Sequence, residues 1–219
     1  MTMKNFSARI AFAGVALLPL AAFGQATIYS DQASFLAAIA PGYYSTDFSD
    51  LTNFTPYSSY SINGGADASS NPFVGTITST LVTPGDGNLY KVPNGLSTDT
   101  DGYALTYDFT SGNVRSVGGL FGVTDVDGNF IPGTIQFDLS DGTSVTVATG
   151  SEPSFQGFLI ADGPTITGLS AFPIEGADPV YVANSQLFVG VPETSTYAAA
   201  GFMGLAVGGL WYRRSRKAA

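Results

Sequence analysis

Polar and apolar residues alternate with a period of two through much of the middle of the chain. In 103–110 and again in 134–139, large apolar side chains occupy every second position, with Ala, Thr, Asp and Gln between them. Such alternation predicts strands with one face in a core and the other in water. Asp141-Gly142 separates the second run from 144–148 and predicts a hairpin turn there.

Apolar stretches of strand length, bounded by Gly, Pro and Asp, predict further strands. They are expected at 27–30, 43–48, 73–78, 89–92, 114–123, 155–160, 165–172 and 180–189. The Ser-, Tyr-, Asn- and Gly-rich segment 53–70 predicts a long surface loop. Because helices do not alternate with these strands, the pattern predicts an all-β fold, a β-sandwich of jelly-roll or lectin-like form.

One short helix is expected near the start of this β-rich region. It should cover 31–40, begin at a cap formed by Ser30 or Asp31, and end at Pro41-Gly42. Its apolar face would carry Phe35, Leu36 and Ile39.

The N-terminal end departs from the alternating pattern. Lys4 and Arg9 precede an apolar run over 10–23, and small residues follow at the spacing that signal peptidase requires. This predicts a signal peptide over 1–26, exported by the Sec translocon and cut after Gly24 or after Ala26, of which we favour the second. The ectodomain would then be 27–190.

The C-terminal end has three parts. They are the motif Val191-Pro192-Glu193-Thr194-Ser195-Thr196, an apolar stretch over 197–212, and a basic terminus over 213–219 containing Arg213, Arg214, Arg216 and Lys217. A helix over the apolar stretch would be about 24 Å long, which spans a bilayer with local thinning and snorkelling. Because Lys and Arg stay on the cytoplasmic side, the ectodomain is expected beyond the inner membrane.

This ending resembles the PEP-CTERM sorting signal of Gram-negative bacteria. Pro192 and Glu193 match its first two positions, and hydroxyl residues follow as usual, whereas Thr194 replaces the second proline. The resemblance covers 191–217 and implies that an exosortase recognises and removes the tail while the protein passes to the cell surface. The alternative is a plain transmembrane anchor that keeps the protein in the inner membrane, for which the helix would be short and rich in Gly and Ala.

The resemblance extends weakly into the ectodomain. Segments 124–134 and 155–158 look similar to ectodomains found with this tail, which often end in a strand containing Asp-Asn. Asn184 stands at the corresponding place without the Asp. Proteins with this tail are associated with exopolysaccharide and biofilm, and the resemblance implies the same association for this protein.

Charge and composition narrow the possible functions of the ectodomain. Residues 27–190 contain sixteen acidic residues against Lys91 and Arg115, a net charge of −14. Such a surface repels phosphate, so nucleic acid is not expected as a partner. The chain has no Cys and no His, which excludes disulfides, thiolate or imidazole metal sites and Ser-His-Asp catalysis.

Two Asp-x-Asp-Gly segments are candidate calcium loops. They supply the carboxylate and amide oxygens of Asp99, Asp101, Asp125, Asp127 and Asn129, and Ca²⁺ prefers oxygen ligands of this kind. The second segment does not follow the EF-hand pattern. The alternative is that Asp-Gly simply forms hairpin turns with solvated carboxylates.

Carbohydrate binding is the remaining candidate activity. Tyr43, Tyr44, Tyr57 and Tyr60 are at expected edge or loop positions, where rings stack on sugars, although half or more could pack in the core instead. Acids on a β scaffold could also hydrolyse glycosides, but the sequence offers no favoured pair, and we expect no catalysis. We therefore expect a non-catalytic matrix or exopolysaccharide-associated surface protein, or alternatively a membrane-anchored lectin-like module that binds sugar or calcium.

Overall fold

A computed structural model of the protein describes residues 25–39, 42–64, 72–80, 87–175 and 179–191. Of the signal peptide predicted over 1–26, residues 1–24 lie outside the described ranges, as do residues 192–219 of the tail predicted over 191–219. No helix in the described ranges is long and apolar enough to cross a membrane.

Fifteen strands and one helix occupy the described residues. They are β1 (Thr27–Tyr29), α1 (Gln32–Ile39), β2 (Tyr44–Thr46), β3 (Pro56–Tyr57), β4 (Tyr60–Gly64), β5 (Phe73–Thr80), β6 (Leu89–Val92), β7 (Gly95–Thr98), β8 (Ala104–Phe109), β9 (Ser116–Thr124), β10 (Phe130–Ile131), β11 (Gly133–Leu139), β12 (Ser144–Thr149), β13 (Ser154–Leu159), β14 (Gly168–Glu175) and β15 (Tyr181–Gly190). The chain is therefore predominantly β, as its alternation predicts.

The strands form two antiparallel sheets. Sheet A has the order β1-β13-β9-β15-β7-β6-β3, with β10 paired to β9 and β2 paired to β15. Sheet B has the order β12-β11-β14-β8-β5-β4. Most neighbouring strands are far apart in sequence, as in β9 beside β15, although β4 and β5, β6 and β7, β9 and β10, and β11 and β12 pair consecutively. Long-range pairing therefore defines most of the fold.

Aromatic side chains from both sheets meet in one core. Phe137 of sheet B lies 4.9 Å, between ring centroids, from Phe121 and 5.9 Å from Phe158, both of sheet A. All three are essentially inaccessible to solvent, as is Tyr107 of sheet B, which contacts Phe121 edge-on. The two sheets thus stack face to face, which confirms the predicted sandwich; the jelly-roll or lectin-like refinement stays a prediction.

The regions of strongest alternation behave as predicted. In β11, Ile135, Phe137 and Leu139 are buried, while the residues between them are partly exposed. The turn to β12 lies at Asp141-Gly142, where Gly142 has a φ of +87° and the Thr143 N–H donates to Asp141 Oδ1 over 2.8 Å. The carboxylate closes the loop because it satisfies a backbone donor that the turn would leave free.

Helix α1 begins at its predicted cap and packs on the outer face of sheet A. The Ser34 N–H donates to Asp31 Oδ1 over 2.8 Å, which identifies Asp31 and not Ser30 as the N-cap. Phe35 is fully buried and forms a cluster with Phe155 and Phe188. Gly157 permits this approach, since a Cβ there would lie 2.7 Å from the Phe35 ring.

The predicted loop over 53–70 is wrong in part, because β3 and β4 lie within it. Ile62 of β4 is fully buried, and its strand pairs with β5. The polar residues around Ile62 belong to the solvent face of an edge strand, so the composition of the segment concealed its alternation. Strands β7 and β10 were not expected either, because both are short.

Candidate functional site

The outer face of sheet A has two ends with different surroundings. At the covered end, defined by Phe35, Phe155 and Phe188, helix α1 lies over the sheet. At the open end, Leu89, Leu96 and Val182 point into the core. Successive side chains of a strand point to opposite faces. Tyr90, Ser97 and Tyr181 consequently face outward there.

A cleft of about 290 Å³ occupies the open end, which we call the aromatic cleft. Its walls combine planar rings with carboxylates, and the lining residues are Phe54, Tyr90, Val92, Ser97, Thr98, Asp99, Asp125, Val126 and Tyr181. The cleft joins the two Asp-x-Asp-Gly segments, because each contributes its first Asp. Side chains separated by up to 127 positions in sequence thus line one depression.

Phe54 is held over this cleft in a strained conformation. Its φ is +57°, a left-handed value that a bulky residue adopts at a cost of roughly 1–2 kcal/mol. A backbone hydrogen bond from the Phe54 N–H to the Lys91 carbonyl, 2.7 Å long, holds the residue beside β6. The side chain is nevertheless 60% exposed. Backbone strain of this kind occurs most often at functional sites, where the surrounding structure holds it in place.

Asp125 organises the turn between β9 and β10. Its Oδ1 accepts hydrogen bonds from the N–H groups of Asp127 (3.0 Å) and Asn129 (2.9 Å), and its Oδ2 accepts one from the Asn129 side-chain amide (3.1 Å). Desolvation favours a higher pKa, but the hydrogen bonds from Asn129, Asp127 and Gly128 together outweigh it and lower the pKa of the carboxyl. Asp125 is therefore a fixed negative charge at the edge of the cleft.

Asp99 and Asp101 also bind neighbouring groups. Asp99 accepts hydrogen bonds from the backbone and side-chain nitrogens of Asn88, both at 3.0 Å. Asp101 Oδ1 accepts a 2.7 Å hydrogen bond from the Val180 N–H, which joins its turn to the start of β15. These two carboxylates, like Asp125, hold turns in place.

The five predicted calcium ligands do not converge in the described part of the chain. No group of three or more Asp, Glu, His or Cys side chains is placed there to hold a metal ion. Asp99 and Asp125 share the aromatic cleft, whereas Asp101, Asp127 and Asn129 do not line it. The observed hydrogen bonds match the alternative of Asp-Gly turns, and calcium binding stays a hypothesis.

Most of the tyrosines predicted to bind sugars pack against other side chains. Tyr44 contacts Phe73 edge-on at 5.4 Å, and Tyr60 contacts Phe48 at the same distance. Tyr57 is half-buried against the core, and only Tyr43 is exposed, at the covered end beside Phe188.

The sequence reasoning missed the three rings that line the cleft. Tyr90 could have been found as the outward position in the alternation of 89–92, and Tyr181 by the same argument in 180–189. Phe54 belongs to no periodic run, so no comparable pattern marks it.

A second depression lies beside the first, and we call it the polar cleft. It has a volume of about 400 Å³ and is lined by Asn94, Asn129, Phe130, Ser151, Glu152, Pro153 and Ser185. Ser185 is at the irregularity in the pairing of β15 with β9, between Asn184 and Gln186. Bulges of this kind redirect side chains at functional sites.

Asn184 belongs to the core and not to either cleft. It is fully buried, and its side-chain nitrogen donates a 2.8 Å hydrogen bond to the hydroxyl of Tyr107 across the two sheets. Burial raises the pKa of Tyr107 well above its usual range, so the hydroxyl remains neutral. Asn184 thus links the two sheets through a buried hydrogen bond.

No family model matches the chain, and no curated protein matches it. The solved structures that are distantly similar to it include an arabinofuranohydrolase and BiXyn10A CBM1. One is a glycoside hydrolase family 43 arabinoxylan arabinofuranohydrolase from Bacillus subtilis in complex with cellotetraose, at 14% identity and a TM-score of 0.29. The match covers 65% of this chain and 28% of that enzyme, so it spans little more than a quarter of the enzyme's length. The other, described as BiXyn10A CBM1 in its apo form, shows 10% identity and a TM-score of 0.30, with coverage of 68% and 97%.

Proposed function

We propose that the β-sandwich is a non-catalytic carbohydrate-binding module of an exported surface protein. The observation that carries this proposal is the aromatic cleft, where an exposed, strained Phe54 stands beside two outward tyrosines and two carboxylates. Sugars present apolar ring faces that stack on aromatic rings and hydroxyl groups that donate to carboxylates. The cleft supplies both kinds of contact on one wall.

Binding suits the cleft better than hydrolysis does. Glycosidases need one carboxyl group whose pKa is raised so that it can protonate the leaving group. The pKa of Asp125 is lowered instead, and its oxygens already accept three hydrogen bonds from its own turn. Asp99 is likewise committed to Asn88.

A glycan array probed with the full chain in a zwitterionic detergent without a sugar headgroup tests the proposal. We expect binding to a restricted set of glycans, and we expect Phe54→Ala to weaken it about two- to tenfold, because stacking contributes on the order of 0.5–1.5 kcal/mol. Tyr43→Ala removes an exposed ring at the covered end and serves as the matched control. Binding that survives Phe54→Ala, or is lost equally in both variants, would rule out the aromatic cleft.

We propose further that the chain is exported and then sorted by its C-terminal tail, through recognition by exosortase. Val191, the first residue of the motif, packs in the core directly after β15 and is therefore not accessible to a sorting enzyme while the sandwich is folded. At the other end, Ala26 packs in the same core, and its N–H donates to Asp141 over 3.1 Å. These contacts would be kept by a cut after Gly24 and lost by a cut after Ala26.

The intact mass of the protein recovered from membranes and from medium tests both cuts. We expect a mature N-terminus at Gln25 or Thr27 and a surface form that lacks 197–219. A single membrane-bound species that retains the tail would instead identify a permanent anchor.

A further inference from the structure

We propose that the aromatic cleft and the polar cleft form one extended site for a linear glycan that carries amino groups. This inference rests on the proposed carbohydrate binding and specifies the class of ligand. Three features of the described residues support it, namely the wall between the clefts, the sign of the charges around them and the length of the strand beneath them.

The wall between the two clefts is the turn of Asp125–Asn129. Asp125 and Val126 line the aromatic cleft, whereas Asn129 lines the polar cleft. Gly128, at the turn, lies against the sheet, since a Cβ there would be 2.7 Å from Val92. Asn94 donates a 3.3 Å hydrogen bond to the Gly128 carbonyl and also lines the polar cleft. The clefts are therefore adjacent, on the same face, and separated by a single turn.

The charges around both clefts are negative. Asp99 and Asp125 line the first cleft, Glu152 lines the second, and none of the described Lys or Arg residues lines either. Glu152 is exposed, and its carboxylate accepts no hydrogen bond from the described residues. An anionic polysaccharide would meet repulsion at both clefts, whereas an ammonium group on the sugar would find a partner in each.

The distance between the two clefts along strand β15 indicates the length of the site. Tyr181 lines the aromatic cleft and Ser185 the polar cleft, four positions further along the strand. At about 3.3 Å for each residue, the two positions are roughly 13 Å apart. One sugar ring cannot reach both, so the arrangement favours a chain of several linked sugars.

Calorimetric titration of the full chain with three tetrasaccharides tests charge and length together. The probes are the β-1,4-linked glucosamine tetramer, cellotetraose and the galacturonate tetramer, with the glucosamine disaccharide as the short comparison. The glucosamine and cellotetraose probes differ at C2, where an ammonium group replaces a hydroxyl. A pH of about 6 keeps the carboxylates ionised and the amines protonated.

We expect the glucosamine tetramer to bind about tenfold more tightly than cellotetraose in about 10 mM salt, and this preference to disappear near 1 M. The galacturonate tetramer should bind most weakly. Glu152→Gln should weaken binding of the tetramer about fivefold and leave the disaccharide unchanged, as expected for one exposed ion pair. Asp127→Asn removes the same charge from the intervening turn without lining either cleft, and it should change neither affinity by more than twofold.

Two other outcomes would overturn the inference in distinguishable ways. Equal affinity for the disaccharide and the tetramer contradicts the extended site. Equal affinity for the glucosamine tetramer and cellotetraose contradicts the preference for amino groups. Either result leaves carbohydrate binding intact. Failure of every probe, together with an empty glycan array, contradicts the proposed function itself.

Discussion

Both ends of the outer face of sheet A carry aromatic side chains, but these side chains differ in their exposure to solvent. At the covered end, the rings of Phe35, Phe155 and Phe188 pack together beneath α1. At the open end, Phe54 stands 60% exposed beside the aromatic cleft. The three phenylalanines are buried beneath a helix of the same chain, whereas Phe54 is accessible to solvent. This difference agrees with the ligand site that we propose at the open end.

The same comparison extends to the path of the chain. Thr27, Leu159, Ser116 and Gly190 lie in one row across four strands of sheet A, so the first and last strands of the sandwich meet at the covered end. Tyr181 pairs with Thr124 at the opposite end of β15, about 25–30 Å away. Under the proposed sorting, the covered end would face the membrane until the tail is removed, and the clefts would face outward.

The largest effect should follow from removing the aromatic ring that seals the covered end. We expect Phe35→Ala to lower the free energy of unfolding by about 3–5 kcal/mol, because a fully buried ring leaves a cavity. Urea denaturation followed by circular dichroism measures the change. The same substitution at Phe54 should change the stability by no more than about 0.5 kcal/mol, since it removes an exposed ring.

The same two variants also test the comparison through their affinity for glycans. Phe35→Ala should keep its glycan affinity in the absence of urea, whereas Phe54→Ala should lose it. Equal destabilisation by both variants would mean that the open end is a second part of the core and not a ligand site.

The sequence predicts the covered end far better than the open end, for a physical reason. Alternation gives the strands, and a helix of eight residues with a capping Asp and one apolar stripe can be recognised locally. The aromatic cleft instead combines a residue before β3, the strand β6, the turn after β9 and the start of β15. Only the long-range pairing of these strands brings their side chains together, and local periodicity does not encode that pairing.

A smaller effect is expected from the turn that separates the two clefts. Gly128→Ala should destabilise the protein by about 2–4 kcal/mol, because Ala is strained at a φ of +79° and its Cβ would meet Val92. Gly142→Ala is the matched control, since its φ is +87° and nothing lies within 4 Å of the added Cβ. It should cost only the backbone strain of about 1–2 kcal/mol. If thermal unfolding shows equal losses for the two variants, the turn does not rest on β6.

The smallest expected effect concerns the carboxylate that holds this turn. Asp125→Ala should cost about 1–2 kcal/mol at neutral pH, because it frees two backbone N–H groups in an exposed turn. The pKa of Asp125 is lowered in the folded protein, so the stabilisation is complete above the unfolded pKa of about 4 and is lost as the pH falls through the lower folded value. Urea unfolding at pH 7, 5 and 3 should therefore show a difference between wild type and variant that is constant down to about pH 5 and shrinks only below about pH 4. Asp127→Asn is the matched control, since it removes a carboxylate from the same turn and keeps both backbone hydrogen bonds to Asp125. A difference that stayed constant to pH 3 would mean that the charge of Asp125 is unimportant to the turn, and the wall between the two clefts would then depend on Gly128 and Asn94 alone.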